Sequence, residues 1–164
     1  MKKSRLVIGI IAAVILFLLI FGNPFSSPTI AEFKRDYIQR VDKELRKPNN
    51  KFRESIESAH KTVTVKDAYI SSCTVTTRDG SNNAGRKGSN ISTIDLKIHS
   101  VWDGKFHKNG YTDLRVILDF HEGKGTVRNA EIVATNALIN TKSPYFWSSV
   151  GVINILHPLE SVLN

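Results

Sequence analysis

The residues of this chain best suited to chemistry are a histidine, an aspartate and a single cysteine. Alternating segments predict that His99 and Asp113 lie on two strands of a hairpin, where they can face each other. A general base held by a carboxylate has this form, and so does an ordinary cross-strand polar pair, which is more frequent. Cys73 together with a histidine would suggest a thiol hydrolase, although no family signature surrounds it. We therefore assign no catalytic residue, and these three are the residues to test for enzymatic activity.

A short acidic segment contains side chains that bind metal ions in other proteins. Asp119, His121 and Glu122 are close in sequence, and residues 119 and 121 share a strand face. No second cluster of histidine or cysteine occurs at a familiar ligand spacing. The sequence therefore predicts no metal site and no cofactor.

The strongest candidate for recognition is the segment 102–111, which links two strongly alternating strands. It holds three aromatic residues, two lysines and a histidine at the tip of a predicted hairpin. Aromatic rings and cations recognise acidic groups and sugars by stacking and cation–π contacts. The alternative is a hairpin whose Asp-Gly and Asn-Gly pairs supply turn geometry and whose end aromatics pair across the strands. The predicted partner-binding residues are Trp102, Lys105, Phe106, His107, Lys108 and Tyr111.

Two helices are predicted before the strands. Residues 29–32 have the Thr-x-x-Glu pattern of a capping box, and apolar residues then recur at helical spacing up to Leu45. Pro48 ends this helix. A second, shorter helix is predicted over residues 51–60, with Asn49 or Asn50 as its cap.

From residue 61 onward the apolar period changes from near four to two, which is typical of strands. The predicted strands are residues 62–77, as one bent strand or two short ones with the kink at Lys66-Asp67, then 91–101, 111–121 and 126–138, with Ile132 and Ala134 facing the core. Short turns predict an antiparallel sheet with one wet face and one face covered by the helices. The apolar tail, residues 144–164, is predicted to close the core, and the alternative is an exposed contact surface.

The first residues predict the compartment. Lys2, Lys3 and Arg5 precede an apolar run that extends from Leu6 to Phe21. This pattern predicts a cytoplasmic leader over residues 1–5, a transmembrane signal anchor over 6–22, a linker over 23–28 and an exported domain over 29–164. The domain then lies in the periplasm or outside, held by a single span in the inner (cytoplasmic) membrane. The alternative is a signal peptide cleaved near Ala31, which would give a secreted domain.

The charge of the chain bears on its partners. The chain has 23 basic and 15 acidic residues, and three of the basic residues belong to the leader. A basic exported domain beside a bilayer can rest on anionic lipid or bind an acidic partner, and the alternative is charge spread over a solvated surface. The compartment, and the lack of a basic run interleaved with aromatic residues, argue against nucleic acid.

The predicted class is α+β, with a transmembrane helix followed by two helices packed on a curved antiparallel sheet of four or five strands. By element order this plan resembles nuclear-transport-factor-2-like and cystatin-like folds. In general plan, with a short cytoplasmic end, one span and a periplasmic domain, it also resembles the membrane-anchored periplasmic subunits of type IV secretion systems. The anchor, the basic domain and the lack of a catalytic constellation favour an assembly or interaction role. We predict a membrane-anchored interaction or assembly module with a protein partner, rather than an enzyme. The alternative is an exported small-ligand-binding or hydrolytic domain with a pocket on the curved sheet.

Overall fold

A computed structural model describes residues 15, 26–59, 63–105, 108–136 and 158–164. Within this part of the chain, no helix is both long and apolar enough to cross a bilayer. The predicted anchor, residues 6–22, lies outside the described residues apart from Ile15. Most of the apolar tail lies outside them as well.

The first helix begins at the predicted capping box. Helix α1 spans Ile30–Leu45. The Thr29 hydroxyl accepts a hydrogen bond from the Glu32 N–H at 3.3 Å, and the Glu32 carboxylate accepts one from the Thr29 N–H at 2.9 Å. Two amides that the helix start leaves without partners are thereby satisfied, so the capping-box prediction is confirmed.

One asparagine joins the two helices. Helix α2 spans Lys51–Ala59. The Asn50 side chain accepts a hydrogen bond from the Arg53 N–H at 2.8 Å and donates to the Leu45 carbonyl at 2.7 Å. Asn50, rather than Asn49, is therefore the cap of α2, and its side-chain amide also donates to a carbonyl at the end of α1.

Four antiparallel strands follow in the order of the chain, β1-β2-β3-β4. They are β1 (Val63–Thr77), β2 (Ile91–Gly104), β3 (Gly110–His121) and β4 (Lys124–Thr135). Helices α1 and α2 pack against β1. A third helix, α3, covers residues 158–163. The predicted α+β class and antiparallel sheet are confirmed, with four strands in the part of the chain that the structure describes.

Irregular pairing bends two of these strands. Strand β1 is one long strand whose register against β2 shifts between Val65 and Asp67, where the kink was predicted. Strand β4 shifts between Ile132 and Ala134, so that Ile132 packs against the core and Ala134 pairs with Asp113 on the opposite face. The prediction that Ala134 faces the core is therefore wrong, because the extra residue of a bulge reverses the alternation.

The β3–β4 turn is shorter than the sequence predicts. Only Glu122 and Gly123 lie between the strands, with φ of 48° and 87°. Positive φ at both central residues is the geometry of a two-residue hairpin turn. Strand β4 therefore begins at Lys124, two residues before the predicted start.

The core lies between the helices and one face of the sheet, which we call the inner face. Phe33 of α1 contacts Phe120 of β3 edge to face, with ring centroids 5.7 Å apart. The described part of the tail, α3, buries Leu159 and Leu163. For this part, the prediction that the tail closes the core is confirmed. The largest fully buried side chains include Val41, Leu45, Phe52, Ile56, Ile94, Leu96, Ile98, Val116 and Leu118.

Helix side chains also cap both edges of the sheet. In each case the backbone N–H of an edge strand donates to a side chain of a helix or, for Asn164, of the residue that directly follows α3. The pairs are Val65 to Glu57 (2.9 Å) and Ile70 to Asp42 (2.6 Å) on β1, and Gly125 to Asn164 (2.5 Å) and Val127 to Glu160 (3.0 Å) on β4. These bonds occupy donors that would otherwise offer another chain a place to pair.

Candidate functional site

The face of the sheet opposite the helices, which we call the outer face, carries a cluster of aromatic and polar side chains. Strand pairing sets Tyr69 opposite His99, and His99 opposite Asp113. Tyr111 lies beside them on β3. We call these four residues the outer-face cluster.

The histidine is the centre of this cluster. The Nδ1 atom of His99 lies 2.6 Å from Oδ1 of Asp113, so the predicted pair faces each other across the hairpin. The ring centroid of Tyr111 lies 5.7 Å from that of His99 in a stacked arrangement, and the centroid of Tyr69 lies 5.3 Å away on the other side. The imidazole is therefore oriented by a carboxylate and flanked by two aromatic rings.

The cluster is partly open to solvent. The side chains of His99 and Asp113 are 24% and 19% exposed. The Nε2 atom of His99 makes no hydrogen bond to any residue that the structure describes. Because Asp113 engages Nδ1, Nε2 is the ring nitrogen left to bind a ligand or to exchange a proton with it.

The cysteine is separated from this histidine by the sheet itself. Cys73 pairs with Leu96 and lies on the inner face, whereas His99 lies on the outer face. Burial raises the pKa of the Cys73 thiol to about 11. A nucleophilic cysteine must be a thiolate, and here burial favours the neutral thiol. Cys73 and His99 therefore do not form a thiol–imidazole pair.

Carboxylates on the outer face are paired with cations of neighbouring strands. Arg115 donates to Asp95 with two of its nitrogens, at 2.6 and 3.1 Å, and lies 3.4 Å from Glu131. Hydrogen bonds from Arg115 lower the pKa of Asp95. Further pairs are Lys66–Asp103 (3.3 Å), Lys108–Asp103 (3.8 Å) and Arg128–Asp119 (3.1 Å). The outer face thus compensates its own acidic charge.

The four described residues among the six predicted to bind a partner, Trp102, Lys105, Lys108 and Tyr111, differ in their exposure to solvent. Trp102 is 4% exposed, and its indole N–H donates to the Thr112 hydroxyl at 3.2 Å. A Cβ atom added at Gly110 would lie 2.6 Å from the indole ring, so Trp102 packs tightly inside the hairpin base. The structure thus gives the indole a packing role in place of an exposed contact.

Of the other five predicted residues, the structure describes three, and these are more exposed than Trp102. Lys105 and Lys108 are exposed, and Tyr111 belongs to the outer-face cluster. Phe106 and His107 lie outside the described residues. Tyr69 was missed, because its position opposite His99 depends on bulges in β1 that apolar periodicity does not reveal.

A pocket of about 520 Å³ lies in the β1–β2 loop, residues 78–90. The Asn90 amide donates to Asp79 Oδ1 at 2.8 Å, to Ser81 Oγ at 3.0 Å and to the Asn83 carbonyl at 2.8 Å. Hydrogen bonds, led by the one from the Ser81 N–H, lower the pKa of Asp79 to about 2. The polar groups of this loop therefore form hydrogen bonds with one another. Because only loop residues line the pocket, it is not the predicted pocket on the curved sheet.

The segment weighed as a metal site has another role. Asp119 forms the ion pair with Arg128, and Glu122 lies in the β3–β4 turn. Among the described residues, no group of three or more His, Cys, Asp or Glu side chains is placed to hold a metal ion.

Comparisons of this chain with protein-family profiles, curated proteins and solved structures find no match.

Proposed function

We propose that this chain is a membrane-anchored extracytoplasmic module that binds a protein partner through the outer-face cluster and the β2–β3 hairpin. The observation that carries the proposal is the contrast between surfaces of the sheet. Helices cover the inner face, and helix side chains cap amides of both edges. No described helix packs over the strands of the outer face, although Arg46, at the end of α1, reaches the cluster with its guanidinium carbon 5.6 Å from the Tyr69 ring.

The chemistry of the outer-face cluster suits a protein partner. Tyr69 and Tyr111 offer apolar rings with polar tips, and tyrosine is enriched at protein–protein interfaces. Carboxylates nearby are compensated by cations of the same sheet, so a partner need not carry a large opposite charge to approach. A partly buried histidine between the rings adds a hydrogen-bonding group at the centre.

The first residues support attachment to the inner membrane. The run from Leu6 to Gly22 would anchor the chain with its N-terminus in the cytoplasm and its domain in the periplasm or outside. Cleavage near Ala31 would remove Thr29 and its capping interactions with Glu32. This loss favours the anchored form over a secreted one. The helix-then-sheet order also fits the predicted likeness to cystatin-like and nuclear-transport-factor-2-like folds.

Photo-crosslinking of the full-length chain in its native membranes tests this proposal. A photoreactive amino acid replaces Tyr111 in one variant and Gln39, an exposed residue of α1, in the control. We expect a crosslinked species of defined larger mass from position 111 and none from position 39. Substituting Tyr69→Ala in the position-111 variant should reduce the yield several-fold. Equal crosslinking from both positions, or none from position 111, would contradict an outer-face interface.

A second function is favoured by the 2.6 Å contact between His99 and Asp113, which orients the imidazole as a general base requires. The chain would then bind or hydrolyse a small ligand on the outer face. Screening small molecules by thermal shift against the wild type and His99→Asn tests this alternative. A ligand that stabilises the wild type but not the variant would support it, whereas equal shifts would place the ligand elsewhere.

A further inference from the structure

Backbone hydrogen bonds identify the end of the domain nearest to the proposed anchor. Ala84 donates its N–H to the Pro28 carbonyl at 3.0 Å, and Ile30 donates to the Asn82 carbonyl at 2.8 Å. These bonds join the start of α1 to the β1–β2 loop. The chain therefore enters the domain at this loop.

The proposed linker keeps this end close to the bilayer. Residues 23–28 number six, and a fully extended chain of that length reaches about 20 Å at most. Strand β2 has 14 residues, and at about 3.3 Å per residue it places the β2–β3 hairpin roughly 45 Å from the loop. The loop end is thus proximal to the membrane, and the hairpin is distal.

The β3–β4 turn belongs to the same proximal end. A Cβ atom added at Gly123 would lie 3.1 Å from the Lys87 carbonyl oxygen, so the turn and the loop are in contact. We call the combined surface of residues 78–90 and 121–124 the proximal surface.

Exposed cations outnumber carboxylates on the proximal surface. Its basic residues are Arg78, Arg86, Lys87 and Lys124, and its acidic residues are Asp79 and Glu122. Asp79 is held by hydrogen bonds within the loop. Arg86 and Lys87 are exposed and form no ion pair with any residue in the described part of the chain. Lys87 has φ of 50°, a backbone conformation that favours glycine or asparagine. The local backbone therefore gives no reason for a lysine at this position.

From this geometry we propose that the proximal surface rests on anionic lipid headgroups of the bilayer that holds the anchor, with Arg86 and Lys87 as the contacting cations. The inference relies on the proposed membrane anchor. The inference adds an orientation of the domain relative to the membrane. In this orientation the hairpin and the neighbouring outer-face cluster point away from the bilayer, toward a partner. Cations are attracted to an anionic surface within about one Debye length, roughly 8–10 Å at physiological ionic strength. A linker that spans at most about 20 Å allows the proximal surface to reach that distance.

Energy transfer to labelled lipid tests this orientation with the full-length chain in vesicles. A donor dye is attached at Asn82→Cys on the proximal surface or at Lys108→Cys on the hairpin, and the acceptor is on a lipid headgroup. The native Cys73 stays unlabelled, because it is buried and burial raises its pKa to about 11. Vesicles contain phosphatidylcholine alone, or with phosphatidylglycerol added.

We expect stronger transfer from position 82 than from position 108, and a further increase at position 82 when phosphatidylglycerol is present. The double variant Arg86→Glu/Lys87→Glu should abolish that increase. The matched double variant Lys105→Glu/Lys108→Glu, with the same charge change on the distal hairpin, should keep it.

Two outcomes would overturn the inference, and they are distinguishable. In the first outcome, the chain stays in vesicles after an alkaline carbonate wash, but energy transfer at position 82 does not change with lipid charge or is reduced equally by both double variants. The membrane anchor is then supported, and the proposed docking on anionic lipid is wrong. If the wash releases the chain, the anchor is wrong, and the proposed orientation is lost with it.

Discussion

The two faces of the sheet are organised by different forces. On the inner face, side chains of β2 and β3 such as Leu96 and Val116 are almost fully excluded from water, and the helices pack over them. On the outer face, the side chains of Arg115 and His99 are 43% and 24% exposed, and each is held by a carboxylate of a neighbouring strand. The inner face therefore supplies stability by apolar burial, while the outer face leaves groups available for binding.

The largest effect should come from a cavity on the inner face. Leu96→Ala removes a side chain that is 1% exposed, and we expect a loss of about 2–5 kcal/mol in the free energy of unfolding. Lys97→Ala, one residue along on the outer face, is the matched control, with an expected change within about 0.5 kcal/mol. Chemical denaturation monitored by tryptophan fluorescence measures both. Similar losses from the two variants would contradict the assignment of the faces.

A smaller loss should follow from overfilling the inner face beside the hairpin. In Gly110→Ala the new methyl group would meet the Trp102 indole at 2.6 Å, which is shorter than a carbon–carbon contact allows. We expect about 1–3 kcal/mol of destabilisation, since the rigid indole must move. Gly125→Ala is the control, because its new methyl group would approach flexible Leu118 at 3.3 Å. If Gly110→Ala is the milder variant, Trp102 is not packed as described.

The inner face was predictable because burial leaves a repeating signal in the sequence. Ile94, Leu96 and Ile98 recur at period two along β2, and each of them is buried. The capping box at Thr29 was predictable for a similar reason, because both partners lie within one helical turn. The orientation of Ala134 was not predictable, because the bulge that precedes it reverses the alternation of inner-face and outer-face residues without a local sequence signal.

The outer-face cluster was predictable only where two strands share a simple hairpin. Regular pairing of β2 with β3 let the pair His99–Asp113 be anticipated from the sequence. Tyr69 depends on the irregular register of β1, and the burial of Trp102 depends on the close approach of Gly110. Contacts between distant segments need the register and the packing, which composition and periodicity do not contain.

The smallest effect, and the sharpest contrast with the inner face, concerns the ion pair between Asp95 and Arg115. The folded pKa of Asp95 is lowered by hydrogen bonds from Arg115, so the pair stabilises the fold only while the carboxylate is charged. At pH 7 we expect Asp95→Asn to lose about 0.2–1 kcal/mol, a range typical of exposed pairs.

This loss should shrink as the pH falls below about 4, the pKa of aspartate in an unfolded chain, and vanish below the lower folded pKa of Asp95. The loss caused by Leu96→Ala should depend far less on pH, because no titrating group is removed. In an Arg115→Ala background, Asp95→Asn should have little effect at any pH. Urea denaturation between pH 3 and pH 7 measures these differences for the wild type, the three single variants and the double variant Asp95→Asn/Arg115→Ala. A loss from Asp95→Asn that stays constant across this range would mean that the carboxylate acts through packing, and the division between an apolar inner face and an electrostatic outer face would then fail.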